Sequence, residues 1–298
     1  MDIPGNFYSY DMVQGTHPAY EKNIDRYRFY SDSYEGGECY KDGSYLPHFV
    51  YEDGNEYAKR IASTPLANHS RNIIQIYTSF LFSKEPRRDY AGIDIDPSLD
   101  AFLMDADLEG RDFNAFMRDA SIQASIYGMS VILIDRPAIA VTTREDELTQ
   151  GIRPYVSLVS AENVIDWKYE RKPNGRYELV MLKILEEPTK TGHTFRYYYP
   201  THIDVVTTDK EKKLVKIEER HENPLGYIPA VFLYNERSTV RGVGISDLTD
   251  IADLQKSIYS DYNELDSTLK LANHPSIVAT RTGVDLSAGP GAVIYIDE

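Results

Sequence analysis

The spacing of apolar residues along the chain changes period twice, from helical to alternating and back. After Thr64 the positions Leu66, Ile73, Ile74, Tyr77, Phe80 and Leu81 keep near-helical spacing, and Pro86 marks a stop. Thr64 followed by Pro65 reads as an N-cap with proline at the first helical position, so a helix is predicted over 65–82. A second helix is predicted over 111–127. Its Phe113, Phe116, Met117, Ala120, Ala124 and Tyr127 form one stripe, with Gly128 where a left-handed cap belongs. The run Ser130 to Ile134 then reads as a buried strand ended by Pro137.

From Tyr155 to Tyr234 the period becomes two. The segments YVSLVS, RYELVMLKIL, TFRYYY, HIDVV, KLVKIEE and IPAVFLY are short, β-branched or aromatic, and separated by turn residues. Lys172-Pro173-Asn174-Gly175 is a tight turn in which proline presets φ and glycine is free to take a positive one. The expectation is a mostly antiparallel β body over 130–234, of five or six strands. Beyond Asn235, Leu248, Ile251, Leu254, Ile258, Tyr262, Leu265 and Leu269 step by three or four, behind Ser246 or Asp247 as N-cap and ahead of Pro275. That helix, Asp247 to Ala272, spans about 39 Å at 1.5 Å per residue. The tail 274–298 holds two strand-like runs, SIVATR and AVIYID, around a glycine-rich loop. Residues 1–56, rich in Tyr, Gly, Asp and Ser, show no sustained period and read as an irregular arm ordered against a neighbouring subunit. The fold class is α+β.

Composition narrows the function. The 298 residues carry 32 Lys+Arg against 47 Asp+Glu, a formal net charge of −15. Gripping nucleic acid by neutralising phosphates needs clustered basic residues, so that mode is disfavoured. The single cysteine, Cys39, excludes an internal disulfide framework and reads as a structural or incidental thiol. No basic stretch with a following apolar core opens the chain, so no signal peptide is expected, and no run reaches the ~18 apolar residues of a membrane span. The 24 tyrosines, against one Trp, suit sheet surfaces and subunit contacts.

Catalytic and ligand motifs are missing. There is no GxxxxGK, GVGIS lacks the third glycine of a dinucleotide loop, and Ser246 is followed by Asp247-Leu248 instead of a nucleophile elbow. None of the seven histidines is placed at the i, i+4 spacing of a zinc helix. The run Asp105, Asp107, Glu109, Gly110 is like a calcium loop, but Phe116 stands where the bidentate Glu is required. No metal, cofactor or catalytic residue is assigned. More informative are Asp250, Asp253, Asp261 and Glu264, which advance by 3, 8 and 3 residues and share one side of the long helix. Such a row is either an ordinary solvated face or an acidic wall facing something that must not bind.

Several segments, in order, resemble the portal protein of tailed bacteriophages: FLFSKEP (80–86), DADLEGRDFNAFMRDASIQASIYGMSVILIDRP (105–137), RPYVSLVSAENVIDWKYE (153–170), GISDLTDIADLQKSIYSDYNELDSTLKLANHP (244–275) and TGVDLSAGPGAVIYID. The likeness covers about Tyr57 to Asp297. It implies a portal-like fold: a helical and β wing over 57–237, a stem helix over 238–273, and the start of a clip over 274–298, with more chain to follow. It also implies a homo-oligomeric ring, usually of twelve subunits, at one vertex of the virion capsid, assembled in the host cytoplasm. Double-stranded DNA would pass through it, the terminase and head–tail connector would dock on it, and the major capsid protein would surround it. In that setting Asp250, Asp253, Asp261 and Glu264 would face the channel or the seam between subunits. The alternatives are an acidic glycoside hydrolase and a β-rich carbohydrate-binding or adhesin protein.

Overall fold

The computed structural model describes residues 8–49, 52–89, 97–137, 143–186, 192–209, 215–273, 277–280 and 293–296. Its helices are α1 (Tyr10–Gln14), α2 (Pro18–Glu35), α3 (Gly54–Ser63), α4 (His69–Leu81), α5 (Pro97–Met104), α6 (Phe113–Tyr127), α7 (Arg144–Thr149) and α8 (Leu248–Asn273). Its strands are β1 (Met129–Asp135), β2 (Tyr155–Ser160), β3 (Val164–Arg171), β4 (Tyr177–Leu185), β5 (Gly192–Tyr198), β6 (His202–Asp209), β7 (Val215–Glu222), β8 (Ala230–Tyr234), β9 (Glu236–Arg237), β10 (Gly244–Ile245), β11 (Ile277–Thr280) and β12 (Val293–Ile296). The protein is α+β, as its patterning predicts. Two compact units emerge: one of Met1–Arg28 with Ile74–Asp247, the other of Phe29–Ile73 with Leu248–Glu298. No helix of the described residues is long and apolar enough to cross a membrane.

In the first unit the β body divides into two sheets. β2, β1 and β8 form a three-stranded antiparallel sheet with β1 central, Val131 lying between Val159 and Phe232. Strand β1 is buried over its first five residues, which explains its unbroken apolar run. Helix α6 covers this sheet, with Phe116 and Ala120 packed on Ile132 and Val156. The helix starts at the Asp112 cap, whose carboxylate accepts from the Asn114 and Ala115 amides, and ends at Gly128 with φ of 88°. Strands β3 to β7 form a separate five-stranded antiparallel meander in chain order. Its first hairpin turns as the sequence predicts: the Gly175 amide donates to Lys172 and Gly175 has φ of 81°. Strand β3 is absent from the six strand segments predicted, and two register shifts against β4 interrupt its alternation.

The reading of residues 1–56 as an irregular arm is corrected. Helix α2 occupies 18 residues of it. Its core-facing positions include Tyr27 and Tyr30, so tyrosine rings carry the stripe that a count of aliphatic residues overlooks. The described part before α2 is committed to this chain's own five-stranded sheet. Tyr8 and Val13 are buried among Ile165, Phe195, Tyr197, Val206 and Ile217. The Lys183 ammonium, itself buried, donates to the Val13 and Gly15 carbonyls at 2.7 Å each.

The second unit corrects the helix predicted over 65–82. Thr64 closes α3: its amide and hydroxyl both donate to the Arg60 carbonyl, at 3.0 and 2.7 Å. Pro65 then cannot continue that helix and follows its end, a common place for proline. The next helix begins at His69, with the Asn68 carbonyl oxygen of the side chain accepting from the Arg71 amide at 2.8 Å. Tyr40, Leu46, Ile61 and Tyr259 form the core of this unit. The two tail strands, β11 and β12, pair in parallel.

Candidate functional site

Helix α8 runs 26 residues, as long as its pattern predicts, but it buries a different side from the one its apolar stripe suggests. At about 100° per residue, three sectors of its surface, each roughly 80° wide, differ in chemistry. The buried sector holds Leu248, Ala252, Gln255, Tyr259 and Asn263. Two of these are amides with every hydrogen bond placed inside the second unit. The Gln255 amide oxygen accepts from the Ser70 backbone and its nitrogen donates to the Ser33 carbonyl, both at 2.9 Å. Asn263 donates to the Thr64 hydroxyl at 2.8 Å and accepts from the Arg60 guanidinium at 2.5 Å. Arg60 in turn grips Glu52 through two bonds of 2.6 and 2.7 Å and donates to the Pro47 carbonyl. That grip holds the Glu52 carboxyl below the usual carboxylate range. Buried amides satisfied in this way fix the rotation of α8 about its axis, because any other rotation strands polar groups without partners.

That rotation leaves the apolar stripe outside. Leu254 is 62% exposed, Leu265 54% and Leu269 52%, with Tyr262 beside them and Ile251 and Ile258 half-buried. The third sector carries Asp250, Asp253, Asp261 and Glu264, all exposed and opposite the buried side. Asp250, Asp261 and Glu264 have no basic partner among the described residues. Lys270, nearer the buried side, pairs with Asp266. The helix thus gathers the four acids the sequence singled out, next to an apolar flank its own chain leaves uncovered.

A second surface lies in the first unit and was not singled out by sequence. From Ile74 on, α4 buries Ile74 and Thr78 and exposes Ile76, Tyr77, Phe80 and Leu81, Phe80 to 75%. Beside it opens a cavity of about 770 Å³ lined by Phe82, Leu103, Met104, Phe113, Lys84, Arg88 and Arg118. Met104 is 77% exposed, and the Arg88 guanidinium lies 5.0 Å from the Phe113 ring centre. Lys84, Arg87, Arg88 and Arg118 have no carboxylate partner among the described residues. The signal was present in FLFSKEPRR, an apolar run followed at once by cations.

Elsewhere the ionisable groups serve packing. In the acidic loop before α6, Asp107 accepts from the Glu109 and Arg111 amides and the Arg111 guanidinium, and Asp105 from Arg153 at 2.9 Å. The loop's carboxylates are thereby taken up by the protein itself. Ser246 donates to the Ile126 carbonyl at 2.5 Å, tying the approach to α8 onto the end of α6. Partial desolvation and the Asp32 carboxylate push the Cys39 thiol up, the opposite of an activated nucleophile. No three His, Cys, Asp or Glu side chains among the described residues could hold a metal ion.

No protein-family model matches the chain, and no curated protein matches it.

Proposed function

We propose that this chain is a subunit of the portal ring of a tailed bacteriophage, a structural protein and not an enzyme. The ring would sit at the capsid vertex within the major capsid protein. It would pass double-stranded DNA in packaging and ejection, and dock the terminase and head–tail connector. The observation that carries the reading is the surface of α8. A long helix that buries hydrogen-bonded amides against its own unit, and presents an apolar flank beside an acidic face, suits a barrel stave. Neighbouring copies would cover the flank, and the acids would face the lumen or the seam between subunits. A polyanion is repelled by such a wall within a Debye length of ~8 Å at physiological salt. Basic residues there would instead hold it by counterion release. In this reading 57–237 is the wing, 238–273 the stem and 274–298 the start of the clip. The resemblance of ordered segments over Tyr57 to Asp297 supports the same assignment.

The glycoside hydrolase reading gains little from the 770 Å³ groove, where two carboxylates stand, because Asp112 is taken up as the α6 cap and leaves Glu85 alone among the described lining. For a carbohydrate-binding module the best feature is the cleft of about 470 Å³ lined by Tyr169, Phe232, Tyr234, Arg237 and Arg241. Arg241 lies 5.6 Å from the Tyr169 ring centre and Arg237 5.4 Å from that of Tyr234. Those guanidiniums cover faces on which a sugar would stack.

The test is electron microscopy of the purified protein with duplex DNA. Annular particles with a lumen wide enough for a duplex are expected. DNA should run through wild-type rings and be retained by rings carrying Asp253→Lys and Glu264→Lys, the two acids turned farthest from the apolar flank. Particles without a lumen, or equal retention by both, would overturn the reading.

A further inference from the structure

Two uncovered apolar surfaces on one chain carry opposite charge at their borders. On α8 the exposed Leu254, Leu265 and Leu269 run beside Asp250, Asp261 and Glu264. On the first unit Phe82, Leu103 and the exposed Met104 line the 770 Å³ groove with Lys84, Arg88 and Arg118, and the exposed Phe80 and Leu81 come just before that lining in the chain. Each side-chain set exceeds what an isolated surface residue needs to explain it.

We propose that α8 of one copy seats in the groove between α5, α6 and the segment after α4 of the next copy, a head-to-tail contact that names the subunit interface of the proposed ring and rests on that reading for closure. An amphipathic helix in an apolar groove with a charged rim is a common docking mode. A second copy is the occupant because charge selects it. Pairing α8 with α8 brings one acidic row close to another, and pairing groove with groove does the same for the cations, so like-charge repulsion opposes both. Pairing helix with groove covers both apolar surfaces and sets Asp250 and Asp261, the acids that border the flank, against the groove's cations, which outnumber the two carboxylates of its described wall, Glu85 and the Asp112 cap. A contact between two different surfaces is heterologous, and heterologous contacts close into rings when the rotation permits.

Charge reversal tests it on the full chain. One variant carries Arg88→Glu with Arg118→Glu, the other Asp250→Lys with Asp261→Lys. Arg88 is half-buried and the other three side chains are exposed, all four lie outside the buried cores, and circular dichroism matched to the wild type precedes each run. Sedimentation velocity should show association of the wild type, weakened by at least about tenfold in either variant alone. An equimolar mixture of the two should associate again, because each reversed groove then meets a reversed helix on the other variant. Association untouched by the reversals, or lost and not restored in the mixture, overturns the contact, as does a wild type that stays monomeric. Annular particles that persist in both variants overturn the contact alone and leave the portal reading standing.

Discussion

Gly128 and Gly244 meet backbone to backbone. A Cβ placed on Gly244 would lie 1.8 Å from the Gly128 carbonyl oxygen, and one on Gly128 would lie 2.6 Å from the Gly244 carbonyl carbon. The Gly128 carbonyl also accepts from the Asn235 amide at 2.9 Å, and Asp247 donates its amide to the Ser125 carbonyl. The end of α6 and the segment leading toward α8 are therefore in contact with no side chain between them.

Replacing Gly244 by Ala should destabilise the protein by about 1–3 kcal/mol, the cost of forcing extra atoms into a packed site. Gly128→Ala should also destabilise, since its φ of 88° is strained for any residue with a Cβ. Gly54→Ala is the control: nothing lies within 4 Å of a Cβ there and its φ is not positive. A urea titration should place Gly54→Ala within about 0.5 kcal/mol of the wild type. Gly244→Ala unchanged in the same titration would show that the two backbones separate at little cost.

Arg60 holds the second unit together through one planar group. Its guanidinium bonds Glu52 twice, Pro47 once and Asn263 once, and it lies 4.1 Å from the Phe49 ring centre. Arg60→Ala leaves the buried Glu52 carboxylate without its partner, a loss of about 3–5 kcal/mol. Arg60→Lys keeps the charge and loses the fork, so it should recover only part of that. Hydrogen exchange of the α3 and α8 amides should quicken in the order wild type, Lys variant, Ala variant. Equal protection in all three would place the stability of this unit elsewhere.

How far the sequence discloses this architecture depends on which residues bear the pattern. Helix α6 and strand β1 are legible because aliphatic and aromatic residues define their faces and Asp112 and Gly128 punctuate them. The Lys172 to Gly175 turn is legible because its residue types leave few other conformations. Helix α2 is not, since its stripe is built of tyrosines, which read equally well as surface. The break at Thr64 is hidden because a Thr-Pro pair can open a helix or follow one, and the Thr64 hydroxyl decides it by bonding back to Arg60. The acidic row on α8 is readable by spacing alone. Which side of α8 faces inward is not, because Gln255 and Asn263 become core residues only through partners at Ser33, Ser70, Arg60 and Thr64, far away in sequence. The groove on the first unit escapes for the same reason, its lining coming from α5, α6 and the segment after α4.

Acid should weaken the first unit in two windows. His17 stacks on Trp167 with ring centres 4.0 Å apart, and its Nδ1 accepts from the Ala19 amide at 3.1 Å. Desolvation lowers its pKa, against a smaller opposing pull from the Asp166 carboxylate. The unfolded chain therefore takes up a proton at His17 first, so stability falls as pH drops below ~6.5 toward the lowered folded value. Asp204 is fully buried and is bonded by the Arg220 guanidinium twice at 2.6 Å and by the Tyr8 hydroxyl at 2.8 Å. Burial pushes its carboxyl up, but those bonds more than offset it and hold it below the usual range. Its contribution is present above ~3.9 and is lost as pH falls through the folded value. Asp166, raised by burial, works with the opposite sign, since protonating it on acidification relieves a desolvated charge. Unfolding free energy measured against pH should therefore decline below ~6.5 and again, more steeply, below ~3.9. His17→Phe, which keeps the stacking and loses the proton site, should flatten the upper decline. Asp204→Asn should cost about 3–5 kcal/mol at neutral pH by leaving Arg220 without its partner, and should flatten the lower one. A lower decline that persists in Asp204→Asn would assign it to other carboxylates.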